Sequence, residues 1–255
     1  MIKLKHLVIV LSIFLIFGCK KKTSTGSLKF VANAESFVAN GFKSVDGFKI
    51  TFTKVILNIS DVSVASKDGK KTITLPGSHM VDFKSSADAF VKLAVLNKIP
   101  VTEYRRLKWS LKKLKDGEYK GYSLILTGKA IKGGKTIDFT LKFDEEVSWD
   151  AKEGYSGDII KGIVKKGKIG EVEMTFHFDH IFGDGNSPLT ASVNKAAAGF
   201  GVFAKFAKNN KIVVSQAELK EQLGADVYKK LILAFQGLGH SGEGHADILN
   251  PSTRF

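Results

Sequence analysis

Apolar residues recur at every second position in several stretches of this chain, and no other feature restricts its fold as tightly. Phe48, Ile50 and Phe52 alternate with Lys49, Thr51 and Thr53, and Leu107, Trp109 and Leu111 with Lys108, Ser110 and Lys112. Ile137, Phe139, Leu141 and Phe143 alternate with Asp138, Thr140 and Lys142 in the same way. Side chains two apart share one face of an extended strand, so this period describes strands buried on one side and wet on the other. Residues 122–131 are apolar on both faces early on, as an inner strand would be. Between these runs stand turn signals, Lys67-Asp68-Gly69-Lys70 and Lys132-Gly133-Gly134-Lys135. Short strands separated by turns imply a mainly β chain folded as an antiparallel, immunoglobulin-like sandwich.

Less regular segments fill the intervals. Residues 55–64 are rich in β-branched side chains but interrupted by Asn58 and Asp61, so an irregular strand is expected. Residues 87–96 suit a short helix before Pro100, and the polar, glycine-containing residues 145–170 suit a long connection with one strand. After Pro188 the texture changes. Residues 196–207 are alanine-rich and compatible with a helix despite Gly199 and Gly201. Ser215-Gln216-Ala217-Glu218 matches a capping box, which satisfies two free amides at a helix start. Val227, Leu231, Ala234 and Phe235 have the spacing of an amphipathic helix, with Gly237 as its stop. The expected organisation is a sandwich over residues 28–186, with residues 187–255 adding two or three helices and a histidine-containing loop to the same globule.

Residues 1–18 read as an export signal and take no part in the fold. Lys3 and Lys5 precede an apolar run over residues 7–17, which is shorter than the roughly 20 residues of a membrane span. The run ends at Ile16-Phe17-Gly18-Cys19, which resembles a bacterial lipobox although Phe17 is bulkier than usual there. Cys19 is the one cysteine in the chain, so lipidation of its thiol would exclude both an intramolecular disulfide and a thiolate ligand. Lys20, Lys21 and Lys22 then begin a short polar tether over residues 19–27, and a basic cluster beside an acyl chain strengthens membrane attachment. The resulting expectation is an exported lipoprotein of the cell membrane or outer membrane, facing the periplasm or the cell surface.

The leader carries two of the 39 basic residues and none of the 25 acidic ones, leaving a mature net charge of +12. Lysines are scattered along the whole chain, with no arginine-rich block and no nucleic-acid module, which argues against a nucleic-acid partner. A solvated lysine-rich surface accounts for the charge.

Six histidines occur; apart from His6 and His79, all stand in two short segments. The first is Phe176-His177-Phe178-Asp179-His180-Ile181-Phe182-Gly183-Asp184 and the second is Gly237-Leu238-Gly239-His240-Ser241-Gly242-Glu243-Gly244-His245. On a strand His177 and Asp179 share a face, whereas His180 joins them only if the strand ends or kinks near Asp179. Otherwise His180 is a core histidine bonded to a carbonyl. His240 and His245, five apart, do not share a helix face and need a glycine-rich loop. Imidazole with carboxylate and without thiolate suits zinc, copper(II), nickel or iron, and zinc is the default for three or four imidazoles. Candidate ligands are His177, His180, His240 and His245. Asp179 and Glu243 serve as further ligands or orient a ring N–H. Calcium at Asp179, Asp184, Asn186 and Asp247 is a lesser alternative, because the rest of an EF-hand loop is missing.

Both histidine segments resemble paired signatures of an uncharacterised family of exported bacterial proteins. Gly47-Phe48-Lys49-Ile50-Thr51-Phe52 and the stretch from Thr136 to Glu146 are also similar, so the likeness spans most of the mature chain. That family pattern has a cysteine-bearing segment after its paired glutamates, where this chain has Ser148-Trp149-Asp150. The resemblance implies a site and no particular activity. The chain lacks a His-Glu-x-x-His helix and a Gly-x-Ser-x-Gly motif, which favours metal binding or delivery to a transporter over catalysis. A zinc-dependent hydrolase and a surface adhesin with a structural metal are the alternatives.

Overall fold

The computed structural model describes residues 24–152, 155–156, 159–242 and 244–251, so Cys19 and Glu243 lie outside the described residues. Its principal strands are β1 (Thr25–Asn33), β2 (Lys49–Ser66), β3 (Phe90–Pro100), β4 (Thr102–Leu111), β5 (Leu124–Lys132), β6 (Lys135–Phe143), β7 (Val147–Ala151), β8 (Ile169–Phe176), β9 (Lys211–Ser215), β10 (Gly239–Ser241) and β11 (Gly244–His245). They form two main sheets. One runs β11-β10-β8-β1-β3; the other runs β9-β6-β5-β2-β4-β7 and continues to Asp247–Ile248. Buried side chains of both sheets join in one apolar core, where Trp149 of β7 meets Phe176 of β8 edge to face at 5.9 Å. The expected mainly β sandwich with a few helices is therefore the architecture found. Two of its pairings, β1 with β8 and β6 with β9, run parallel.

The alternating runs behave as strands should. In β6, Ile137, Phe139, Leu141 and Phe143 are buried. Gly133 and Gly134, both at positive φ, close the β5–β6 hairpin, a conformation glycine adopts without a Cβ clash. The run over residues 55–64 lies within the 18-residue β2 and is irregular, as expected. Asp61 at φ 54 and register shifts between Ser60 and Ser63 mark bulges that let this one strand bend.

Three expectations are corrected. Residues 87–96 contribute to strand β3, not to a helix, because pairing with β1 from Thr25 to Asn33 overrides the helix preference of its alanine, leucine and lysine. Residues 196–207 do not form one helix. Gly199 at φ 78 divides Ser192–Ala196 from Gly201–Ala204, and the Asp46 carboxylate accepts from the amides of Phe200 and Gly201. The connection over residues 145–170 holds β7, whose Trp149 is fully buried, and the short strand Ile163–Val164 against β4, besides the pair Tyr155–Ser156 and Ile159–Ile160. Besides its helices, the segment 187–255 lends β9 to one sheet and β10 and β11 to the other.

Of the helices that bear on the site, the two longer ones form where sequence signals place them. α1 (Asp179–Phe182) is a single turn. α2 (Gln216–Gln222) starts at the reciprocal capping box of Ser215 and Glu218. α3 (Ala225–Gln236) buries Leu231, Ala234 and Phe235, but Val227 is exposed and Tyr228 takes the buried place on that turn. Among the described residues no helix is long and apolar enough to cross a membrane.

A cluster of phenylalanines occupies the end of the sandwich beneath the first histidine segment. Phe52 lies 6.0 Å from both Phe139 and Phe178, and 6.2 Å from Phe182, ring centre to ring centre. Phe52→Ala would leave a cavity among these rings. The expected loss of stability is about 3–5 kcal/mol, read from the midpoint of chemical denaturation.

Candidate metal centre

Strand β8 ends at Phe176, and three apolar side chains set the path of the backbone beyond it. Phe178, Ile181 and Phe182 are fully buried, at the spacing of one helical face. Holding that face in the core turns His177 and His180, themselves three apart, to the other side. The His177 amide donates to the Leu238 carbonyl at 3.0 Å and the His180 amide to the His177 carbonyl at 3.3 Å. The strand thus ends before Asp179, and His180 comes onto the same side as His177.

The second segment is a tight hairpin rather than an open loop. His240 pairs across to Thr175 of β8 on one side and to His245 of β11 on the other. Gly242, at φ 58, makes the turn. Two other glycines are there for space. A Cβ on Gly239 would stand 2.4 Å from the Trp149 ring, and one on Gly237 would stand 2.8 Å from Nδ1 of His180. Gly237 comes directly after α3 with φ −74, so its role is to clear the His180 ring and not to supply a left-handed helix stop.

These elements bring His177, His180 and His240 together. Each offers a ring nitrogen, and the three nitrogens lie within 4.8 Å of one another. The His177 and His240 rings stack at 4.0 Å and 13°, while His180 stands at 72° to His240 with their Nε2 atoms 3.2 Å apart. Zinc–nitrogen bonds of about 2.0–2.1 Å would hold two nitrogens of a tetrahedral ion roughly 3.4 Å apart. The His180–His240 pair stands at 3.2 Å in a ring-to-ring hydrogen bond, and a shared ion would take the place of the bridging proton. A shared ion needs the His177 ring to tilt from its stack, because an imidazole lone pair lies in the ring plane.

His245 does not belong to this set of three, but its ring centre is 4.3 Å from that of His240 and its residue is exposed. Asp179 lies on the first turn of α1 with Oδ1 enclosed and lacking a hydrogen-bond partner among the described residues. Asp184 instead accepts from the Asn186 amide and the Ser187 hydroxyl, which closes a turn. Sequence reasoning missed Glu35, whose Oε1 is 3.5 Å from Nε2 of His177. Its signal is faint: a lone acid after β1, whose left-handed backbone shows only in three dimensions.

Burial dominates the electrostatics. It lowers the His180 pKa to about 4 and the His240 pKa to about 2, with neighbouring histidines pushing the same way. At neutral pH both rings are uncharged and keep a lone pair for an ion. Burial raises the Asp179 carboxyl, with Glu35 and Asp184 adding and His177 opposing.

No protein-family model matches the chain, and no curated protein matches it either. Among solved structures, MbnP from Methylosinus trichosporium is similar over 64% of this chain and 78% of that one, at 10% identity and a TM-score of 0.30. That likeness is too slight to bear on the fold or the site.

The buried histidines make the metal-free protein acid-sensitive. Below the ordinary histidine pKa of about 6.5 the unfolded chain takes up protons that folded His180 and His240 refuse, so stability falls with pH. Asp179 works in the other direction, gaining its proton first in the folded state. With chelator present, stability should fall between pH 7 and pH 5 by roughly 1 kcal/mol per pH unit for each histidine, less the Asp179 contribution. His240→Ala should flatten that slope in denaturation curves.

Proposed function

We propose that this protein binds a divalent transition metal, zinc by preference, at His177, His180 and His240. On this reading it is a lipid-anchored protein of the cell envelope. The single observation that carries the reading is the convergence of three ring nitrogens from two distant segments. Their chemistry agrees: uncharged imidazoles are borderline ligands that suit zinc, copper(II), nickel or iron. Asp179 and Glu243 remain candidate further ligands.

Delivery to a transporter or receptor is supported by the arrangement of the rings. Exposed His245 beside buried His240 offers an arriving ion its first ligand and a departing ion its last. A purely structural metal, as in the adhesin alternative, has no use for such an exit. Export and the lipid on Cys19 put the centre at the envelope surface and rest on the leader alone.

Purified mature protein stripped of metal should take up close to one equivalent of zinc by calorimetry and elemental analysis. His177→Ala, His180→Ala and His240→Ala should each weaken binding by at least tenfold, and a stoichiometry near zero with zinc, copper and nickel would overturn the reading. His245→Ala should slow both uptake and release in stopped-flow exchange with a chromophoric chelator, with little change in affinity. Cys19→Ser should move the protein from the membrane fraction to the soluble one.

A further inference from the structure

We infer that Glu35 and Asp179 form the carboxylate wall of the histidine centre and set it for a divalent ion over a monovalent one. The inference rests on the metal-binding reading and adds to it the charge of the ion. Three uncharged imidazoles bring no negative charge to a buried ion, and an ion moved out of water must be balanced locally. A doubly charged cation needs two negative charges. Near His177 the described residues supply two carboxylates.

Glu35 is placed there against its own backbone preference. It sits at φ 58, a left-handed conformation that residues other than glycine, asparagine and aspartate seldom adopt. The fold enforces it: the Glu35 amide donates to the Asn33 side chain at 2.8 Å, and the Asn33 amide group donates to Glu173 of β8 at 2.9 Å. The Ala34 amide is held by the Ala89 carbonyl at 3.0 Å. This chain of bonds fixes Glu35 relative to the strand that leads into His177, and brings its carboxylate to 3.5 Å from the ring. Asp179, on the first turn of α1, has an enclosed Oδ1 with no hydrogen-bond partner among the described residues and interacts electrostatically with His177 and Glu35. Five other described non-glycine residues share the left-handed region, and Glu35 is set apart by the candidate ligand ring that its carboxylate meets.

Coulomb energy scales with the charge of the ion, so removing one carboxylate should change silver(I) affinity by about the square root of the change for zinc(II). Competition titrations of zinc(II) and silver(I) against chromophoric chelators on the whole mature protein supply the test. Glu35→Gln and Asp179→Asn should each weaken zinc binding by about tenfold and silver binding by about threefold. Equal factors for the two ions, or no loss, would overturn the inference. Glu35→Gly relieves the left-handed strain, so the metal-free melting temperature should hold or rise while zinc affinity falls as in Glu35→Gln. Intact zinc affinity in Glu35→Gly would make the strain merely structural and sink the assignment, even if Asp179→Asn does not fold. If the unaltered protein takes up neither ion, metal binding and charge balance both fail. If it binds zinc and the variants match it, only charge balance fails.

Discussion

The site depends on one piece of apolar packing. Phe178, Ile181 and Phe182 are drawn into the phenylalanine cluster at the end of the sandwich, and they hold the backbone after β8 in a single helical turn. Without that turn His180 would face away from His177, as it would on a continued strand. Hydrophobic burial, nondirectional by itself, thus sets the direction of two polar rings through the geometry of the backbone between them. The same core fixes the partner segment, since the Gly239 backbone rests against Trp149 and the indole N–H donates to the Gln236 carbonyl at 2.8 Å.

Imidazoles in such a place are costly neighbours. Three rings share a small volume, two of them buried against solvent, at 8% and 2% residual exposure for His177 and His240. Protonation of one would place a charge against the others, which is why the pKa values of His180 and His240 fall. The rings are kept as lone-pair donors by exclusion of water and by mutual repulsion. Buried imidazoles and an enclosed carboxylate oxygen, with nothing apolar to gain, make most sense as a set of donors.

Much of this was legible in the residues, because period-two alternation reports burial directly. β6 could be read off Ile137 to Phe143, and the capping box at Ser215 located α2. The two histidine segments were legible as a pair by their rarity alone. What escaped was decided by tertiary contact. Residues 87–96 have helix-forming side chains, and only the long pairing with β1 makes them β3. Gly199 splits a helix because Asp46, far away in sequence, captures the next two amides. Glu35 was invisible for the same reason: a single acid carries no pattern, and its position comes from bonds to Asn33 and through it to β8.

The hairpin of β10 and β11 is paired to β8, which is itself paired to β1, so the centre draws on strands from opposite ends of the described chain. No partial product of translation that lacks residues 239–245 can bring His240 to His180. On the proposed metal-binding reading, all three rings can hold one ion only after residues 239–241 have paired with β8. On that reading, the free metals of the compartment in which this pairing closes decide which ion the site takes.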